Sequence, residues 1–156
     1  MRPSVRRSGE SLQLLAEKYP LYIVSNCEAG YIEVFLEATG FGKYFKGHLC
    51  NGDNNLDKGS NISLIARTYD MKSPVYVGDT MGDFLSCRKA GVPFVFASYG
   101  FGDVPEPDEI IRKPMDLVDL FLLKNILKSN RSVETSKSFP RSCFDYFYFF
   151  CHLYLR

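Results

Sequence analysis

Val75-Tyr76-Val77-Gly78-Asp79-Thr80-Met81-Gly82-Asp83 runs from three apolar residues straight into a turn built of two glycines and two aspartates. The apolar part, introduced by Pro74, reads as a strand covered on both faces. Gly78 and Gly82 let the chain turn sharply and bring backbone close to a ligand. Asp79 and Asp83 put two hard oxygen donors on one turn, which suits magnesium. A helix through Phe84, Leu85 and Ala90, closed by Gly91, points its first amides at the same place, which favours an anion such as phosphate. Taken alone, the turn is explained as well by a polar strand-to-helix connection with an aspartate N-cap.

Outward from this stretch the same alternation repeats. Upstream, Leu12, Leu15, Ala16 and Tyr19 have helical spacing, and Pro20 ends that helix. Leu21-Tyr22-Ile23-Val24 follows as a continuous apolar run, again a strand buried on both faces, closed by Ser25-Asn26. Ile32, Phe35, Leu36 and Thr39 mark a second helix, with Gly40 just past its end. A weak strand is expected near 47–50, and 51–57 is a loop rich in Asn, Asp and Gly. Ile62, Ile65, Ala66 and Tyr69 mark a third helix that Lys58 opens. Downstream, 93–97 is another buried strand and 116–123 a short apolar helix, the last regular element expected. Strands alternating with helices point to a parallel α/β sheet. Ligands of such sheets bind at the carboxyl ends of the strands, where Ser25-Asn26 and Gly78-Asp79 lie.

Two further groups could carry chemistry. The Ser25 hydroxyl and Asn26 amide can hydrogen-bond a phosphate oxygen, although a capping pair for the next helix uses the same residues. Lys58 could neutralise phosphate charge, although a lysine is ordinarily a surface residue.

Composition bounds the rest. The 156 residues are 46% hydrophobic and 24% charged, enough for one globular domain, and the net charge of +1 gives no electrostatic case for nucleic acid or an anionic membrane. Arg2, Arg6 and Arg7 have no apolar stretch behind them, so no secretory signal is expected and cytoplasm is the default location. Cys27, Cys50, Cys87, Cys143 and Cys151 form no C-x-x-C pair and are read as reduced thiols, neither a zinc site nor a disulfide framework. No cysteine is followed by an arginine six positions later, so a cysteine-phosphatase loop is absent. His48 and His152 have no base, nucleophile or metal cluster beside them in sequence and are read as ordinary residues.

In combination, a strand ending in Ser-Asn, a lysine at a helix start and a strand ending in Gly-Asp-x-x-Gly-Asp resemble the second, third and fourth motifs of the haloacid dehalogenase superfamily, in that order. Val24-Ser25-Asn26, Val77-Gly78-Asp79-Thr80, Ala90-Gly91-Val92-Pro93 and Tyr99-Gly100-Phe101-Gly102 have the flavour of its phosphoglycolate-phosphatase-like branch. The resemblance covers residues 20–124 and implies a Rossmann-like parallel sheet that acts as a magnesium-dependent phosphatase on a small-molecule phosphate ester. It implies that Ser25, Asn26 and Lys58 contact phosphate. By the same carry-over Lys58 and Asp79 are catalytic, Asp79 binds magnesium, and Asp83 completes or orients that metal site.

The resemblance also implies an Asp-x-Asp at the end of a first strand, upstream of a cap, with one aspartate as nucleophile and the other as general acid and base. The first aspartate of this chain is Asp53. Residues 1–124 are therefore expected to form a partial core lacking that first strand and the cap. In the family the missing strand lies between those at 75–77 and 21–24, so two unpaired inner edges are expected. Residues 125–156 read as an atypical tail, polar from Ser129 to Ser142 and then aromatic through Phe144-Asp145-Tyr146-Phe147-Tyr148-Phe149-Phe150, which resembles an aggregation-prone segment. A truncated or frameshifted reading frame would account for both ends. Two function classes stand side by side: a phosphohydrolase by descent, and a non-catalytic protein that binds magnesium and phosphate, self-associates, or pairs with a chain carrying the first motif. A response-regulator-like domain would need an acidic pair near the start, which the order of motifs does not provide.

Overall fold

The structure, a computed structural model, describes residues 3–123 and 147–151, with side chains described for 9–123. Its centre is a six-stranded, wholly parallel sheet in the order β2-β1-β6-β3-β4-β5. The strands are β1 (Leu21–Ser25), β2 (Phe45–Cys50), β3 (Ser73–Gly78), β4 (Phe94–Ala97), β5 (Glu109–Ile111) and β6 (Phe147–Cys151). The helices are α1 (Pro3–Ala16), α2 (Tyr31–Thr39), α3 (Asn51–Asn54), α4 (Lys58–Thr68), α5 (Met81–Ala90) and α6 (Met115–Val118), the last continued by a π-helical turn at Asp119–Leu123.

Every residue of β1 and β4 is buried, as continuous apolar runs require when helices cover both faces. Successive side chains go to opposite layers. Val75, Val77, Val95 and Ala97 pack with Leu12 and Leu15 of α1, Leu117 of α6 and Phe121. Tyr22, Val24, Tyr76, Phe94 and Phe96 pack with Ile62 and Ile65 of α4 and Cys87 of α5. The Tyr19 hydroxyl donates to the Phe121 carbonyl at 3.0 Å, tying the end of the first helical segment to the last. No helix among the described residues is long and apolar enough to cross a membrane.

The gap expected between the strands at 21–24 and 75–77 is filled. β6 pairs with β3 over five positions, from Ser73↔Phe147 to Val77↔Cys151, and with β1 at Leu21↔Phe149 and Tyr22↔Phe150. The helix at 116–123 is therefore not the last regular element. A run of β-prone apolar residues is what a strand paired on both edges needs, and sequence alone does not show which edges will receive it. Cys143, His152 and the polar stretch 129–142 lie outside the described residues.

Smaller differences follow from size and exposure. β5 is only three residues long, with Ile110 exposed, and gave no strand signal. The loop at 51–57 contains the one-turn helix α3, closed by Asn55 in the left-handed region. Leu85 is exposed, and Cys87 takes the fully buried apolar position on α5, beside the equally buried Asp83.

Candidate active site

β1, β3 and β4 are parallel, so the segments that follow them emerge at one end of the sheet. Lys58, first residue of α4, is only 5% exposed. An ammonium that buried needs an acceptor, and Asp83, which is fully buried, supplies Oδ1. The other oxygen of Asp83 accepts from the Thr80 hydroxyl at 2.9 Å and from the amides of Thr80 and Asp79, each at 3.2 Å. Thr80 in turn caps α5, its Oγ1 accepting from the Asp83 amide at 3.1 Å, which completes a reciprocal capping box. One carboxylate thus holds the lysine on one side and the Asp79-Thr80 backbone on the other.

Asp79 is itself buried and is fixed from the loop after β4. Its Oδ2 accepts from the Phe101 amide at 3.0 Å, and its carbonyl accepts from the Gly102 amide at 2.9 Å. The approach is close enough to demand glycine. A Cβ on Gly100 would lie 2.2 Å from the Asp79 Cβ, and one on Gly78 would lie 2.7 Å from the Asp83 Cβ.

Ser25 is fully buried at the end of β1, and Asn26 follows it into solvent. They stand at the same end of the sheet as Asp79, across β6. Tyr76 spans this gap: its buried hydroxyl donates to the Val24 carbonyl at 2.9 Å, and the Lys58 Nζ lies 6.0 Å from its ring centroid. Lys58, Asp79 and Asp83 are thus joined in one network, with Ser25 and Asn26 on its far side. Thr80, Tyr76 and the Phe101 and Gly102 amides are parts that motif reading left without roles. The paired glycines of Tyr99-Gly100-Phe101-Gly102 were the available signal for the loop, whereas Tyr76 looked like any core residue.

The thiol beside Asp83 offers no substitute nucleophile. Cys87 is fully buried one turn after Asp83, and burial followed by the Asp83 charge pushes its thiol up, so it stays protonated and inert.

The donor set can be tested against magnesium. Both oxygens of Asp83 are engaged by Lys58, Thr80 and Asp79, which suits it to orienting more than to ligating. Asp79 is the hard oxygen donor at the strand end. Among the described residues no group of three or more His, Cys, Asp or Glu could hold a metal. Magnesium commonly keeps several waters and binds through one or two carboxylates plus substrate phosphate, so the residues present fit it in that mode and do not form an all-protein cage.

The model of the haloacid dehalogenase-like hydrolases matches residues 7–97. The chain belongs to that family. Phosphoglycolate phosphatase of Escherichia coli K12 is 29% identical over 115 residues, covering 67% of this chain and 45% of that protein. Phosphoglycolate phosphatase of Agrobacterium fabrum C58 is 33% identical over 85 residues, covering 49% of this chain and 36% of that protein. These relatives agree with the phosphoglycolate-phosphatase-like branch of the haloacid dehalogenase superfamily, and the chain spans less than half the length of either. A haloacid dehalogenase-like hydrolase from Streptococcus pneumoniae superposes with a TM-score of 0.66 at 23% identity, covering 72% of this chain and 57% of that one. A 2-haloacid dehalogenase from Pseudomonas syringae pv. Tomato DC3000 superposes with a TM-score of 0.60 at 20% identity, covering 83% and 54%. Both superpositions support the fold.

Proposed function

We propose that this haloacid dehalogenase-like chain carries the magnesium- and phosphate-binding half of a phosphomonoester hydrolase site and, by itself, binds without turning over. The observation that carries the reading is the buried Lys58–Asp83 pair beside a buried Asp79 whose loop is held at both its amide and its carboxylate. Lys58 neutralises charge on a phosphate oxygen. Ser25 and Asn26 donate hydrogen bonds to the others. Asp79 holds the magnesium, and Asp83 keeps Lys58 and the Asp79 backbone in register. When bound, the metal supplies charge neutralisation at the phosphate.

Hydrolysis by the family route needs a carboxylate nucleophile at the end of the strand between β1 and β3. The strand there, Phe147-Tyr148-Phe149-Phe150-Cys151, contains none. A complementing chain would have to displace β6 or bring an acidic pair to its end. The expected ligand is a small phosphate ester, and a cytoplasmic location belongs to the same reading.

The test is calorimetric titration of inorganic phosphate with and without magnesium, on this chain and on Asp79→Asn, alongside hydrolysis of an aryl phosphate. Magnesium-dependent phosphate binding that Asp79→Asn abolishes, with no release from the ester, is expected. Magnesium-dependent turnover lost in Asp79→Asn would overturn the non-catalytic part. Folded protein that binds no phosphate would overturn the whole reading.

A further inference from the structure

Cys27 and Cys50 are far apart in sequence and close in the fold. Cys50 is the last residue of β2, level with Ser25 of β1, so the segments carrying the two thiols leave adjacent strands together. Two residues further along β2's exit, the Gly52 amide donates to the Cys27 carbonyl at 3.0 Å. The Ser25↔Cys50 pairing on one side and the Gly52–Cys27 bond on the other bracket both cysteines. Their side chains meet one small cluster: Cys50, 1% exposed, packs with Ile23 and Ile32, and Cys27 lies against that group, half-buried. The Cys50 Sγ is 3.7 Å from the Glu28 carbonyl, one residue past Cys27. A Cβ on Gly52 would lie 2.1 Å from the Ala29 nitrogen, so the two segments are pressed together.

We infer that Cys27 and Cys50 form a peroxide-sensitive dithiol that closes to a disulfide and staples the segment after Ser25-Asn26 to the end of β2. The two thiols differ in a way that sets the order of steps. Cys27 reaches solvent. Cys50 is held protonated, pushed up to about 12 by burial first, then by the hydrogen bond with Asp53, with Cys27 itself adding to the effect. Being the one open to solvent, the Cys27 sulfur attacks a peroxide oxygen first, breaking the O–O bond; Cys27 becomes a sulfenic acid, and the hydroxide that leaves takes up the thiol proton to form water. The Cys50 sulfur then attacks the Cys27 sulfur, the S–OH bond breaks, and the hydroxyl leaves as water with the Cys50 proton. Two thiols and one hydrogen peroxide give one disulfide and two waters, the cysteines losing two electrons and the peroxide gaining them.

The experiment treats the full chain with hydrogen peroxide, blocks remaining thiols with iodoacetamide after unfolding, and maps tryptic peptides without reductant. The expected result is a dithiothreitol-reversible link between peptides 19–43 and 47–58, lighter by two hydrogens than their sum. Cys27 loses its alkylation while Cys87 keeps it. Cys27 advancing to sulfinic acid with Cys50 still alkylated would overturn the inference, as would links from Cys27 to Cys143 or Cys151 in equal yield. In folded Cys50→Ala the link disappears and dimedone traps Cys27 as the sulfenic acid; a Cys27 that dimedone never traps there would overturn the proposed order. The wild-type map stands whether or not that variant folds.

Discussion

The polar network around Lys58 and the strand β6 are two regions of one sheet held by opposite means. Around Lys58 nearly every contact is made by side chains aimed at specific partners, and a single carboxylate, Asp83, serves four donors. β6 has no carboxylate and is anchored through its main chain, with five paired positions on β3 and two on β1. The polar network therefore sits on turns whose geometry is local, while the centre of the sheet is filled by a segment paired along both of its edges.

Removing β6 is the most severe way to break the contrast. Ending the chain at Lys124 leaves the inner edges of β1 and β3 bare. Each buried unpaired backbone group costs about 1–3 kcal/mol, against a total of about 5–15 kcal/mol for a typical domain. The shortened chain is expected to lose cooperative urea unfolding followed by circular dichroism. A truncated chain that melts like the full one would mean that β6 is not needed to hold the sheet.

Next comes the buried ion pair. Asp83→Ala strands a buried ammonium and frees the Asp79-Thr80 amides, so a loss of about 3–5 kcal/mol is expected from urea midpoints. Lys58→Met should cost less, because Asp83 keeps its Thr80 and Asp79 donors. Adding Lys58→Met to Asp83→Ala should recover part of the loss, since the stranded charge is gone. Strict additivity would show that the two side chains do not act as a pair.

A smaller effect tests the tie across β6. Tyr76→Phe deletes only the hydroxyl and leaves the buried Val24 carbonyl short of a donor, for about 1–3 kcal/mol. The loss should appear in the unfolding rate and in faster amide exchange at the end of β1. Unchanged exchange there would mean that β6 pairing alone holds β1 to β3.

The smallest effect lies on the surface at the N-cap of α4. The Lys89 ammonium beside Asp57, then the Ser60 hydroxyl and amide, hold the Asp57 carboxyl well below the usual carboxylate range. A folded-state value below the unfolded one stabilises above the unfolded pKa and is lost as pH falls through the folded one. Asp57→Asn should therefore lower Tm slightly near neutral pH, and the difference should shrink as acid is added. Because the pair is exposed, salt should weaken it.

Much of this molecule could be read without its structure. Strands β1, β3 and β4 were legible because both faces are covered, which writes burial into sequence as an unbroken apolar run. Asp79 and Asp83 were legible together because they share one turn, whereas Lys58 joined them only through the resemblance in motif order. Thr80 was passed over as a role, since only the folded turn shows its hydroxyl shared by the cap and the Asp83 carboxylate. β5 was missed because three residues with an exposed Ile110 give no period to detect.

The sequence by itself determined the parallel α/β architecture, because burial periodicity is local, and its motifs in their order carried the resemblance to the family and to its site residues. Only the tertiary structure decided that the aromatic run at 147–151 fills the centre of the sheet, that Tyr76 reaches the Val24 carbonyl, and that Cys27 and Cys50 share one small cluster. Those contacts join residues far apart along the chain, and their partners are chosen by edges and cavities that exist only once the rest of the sheet has formed.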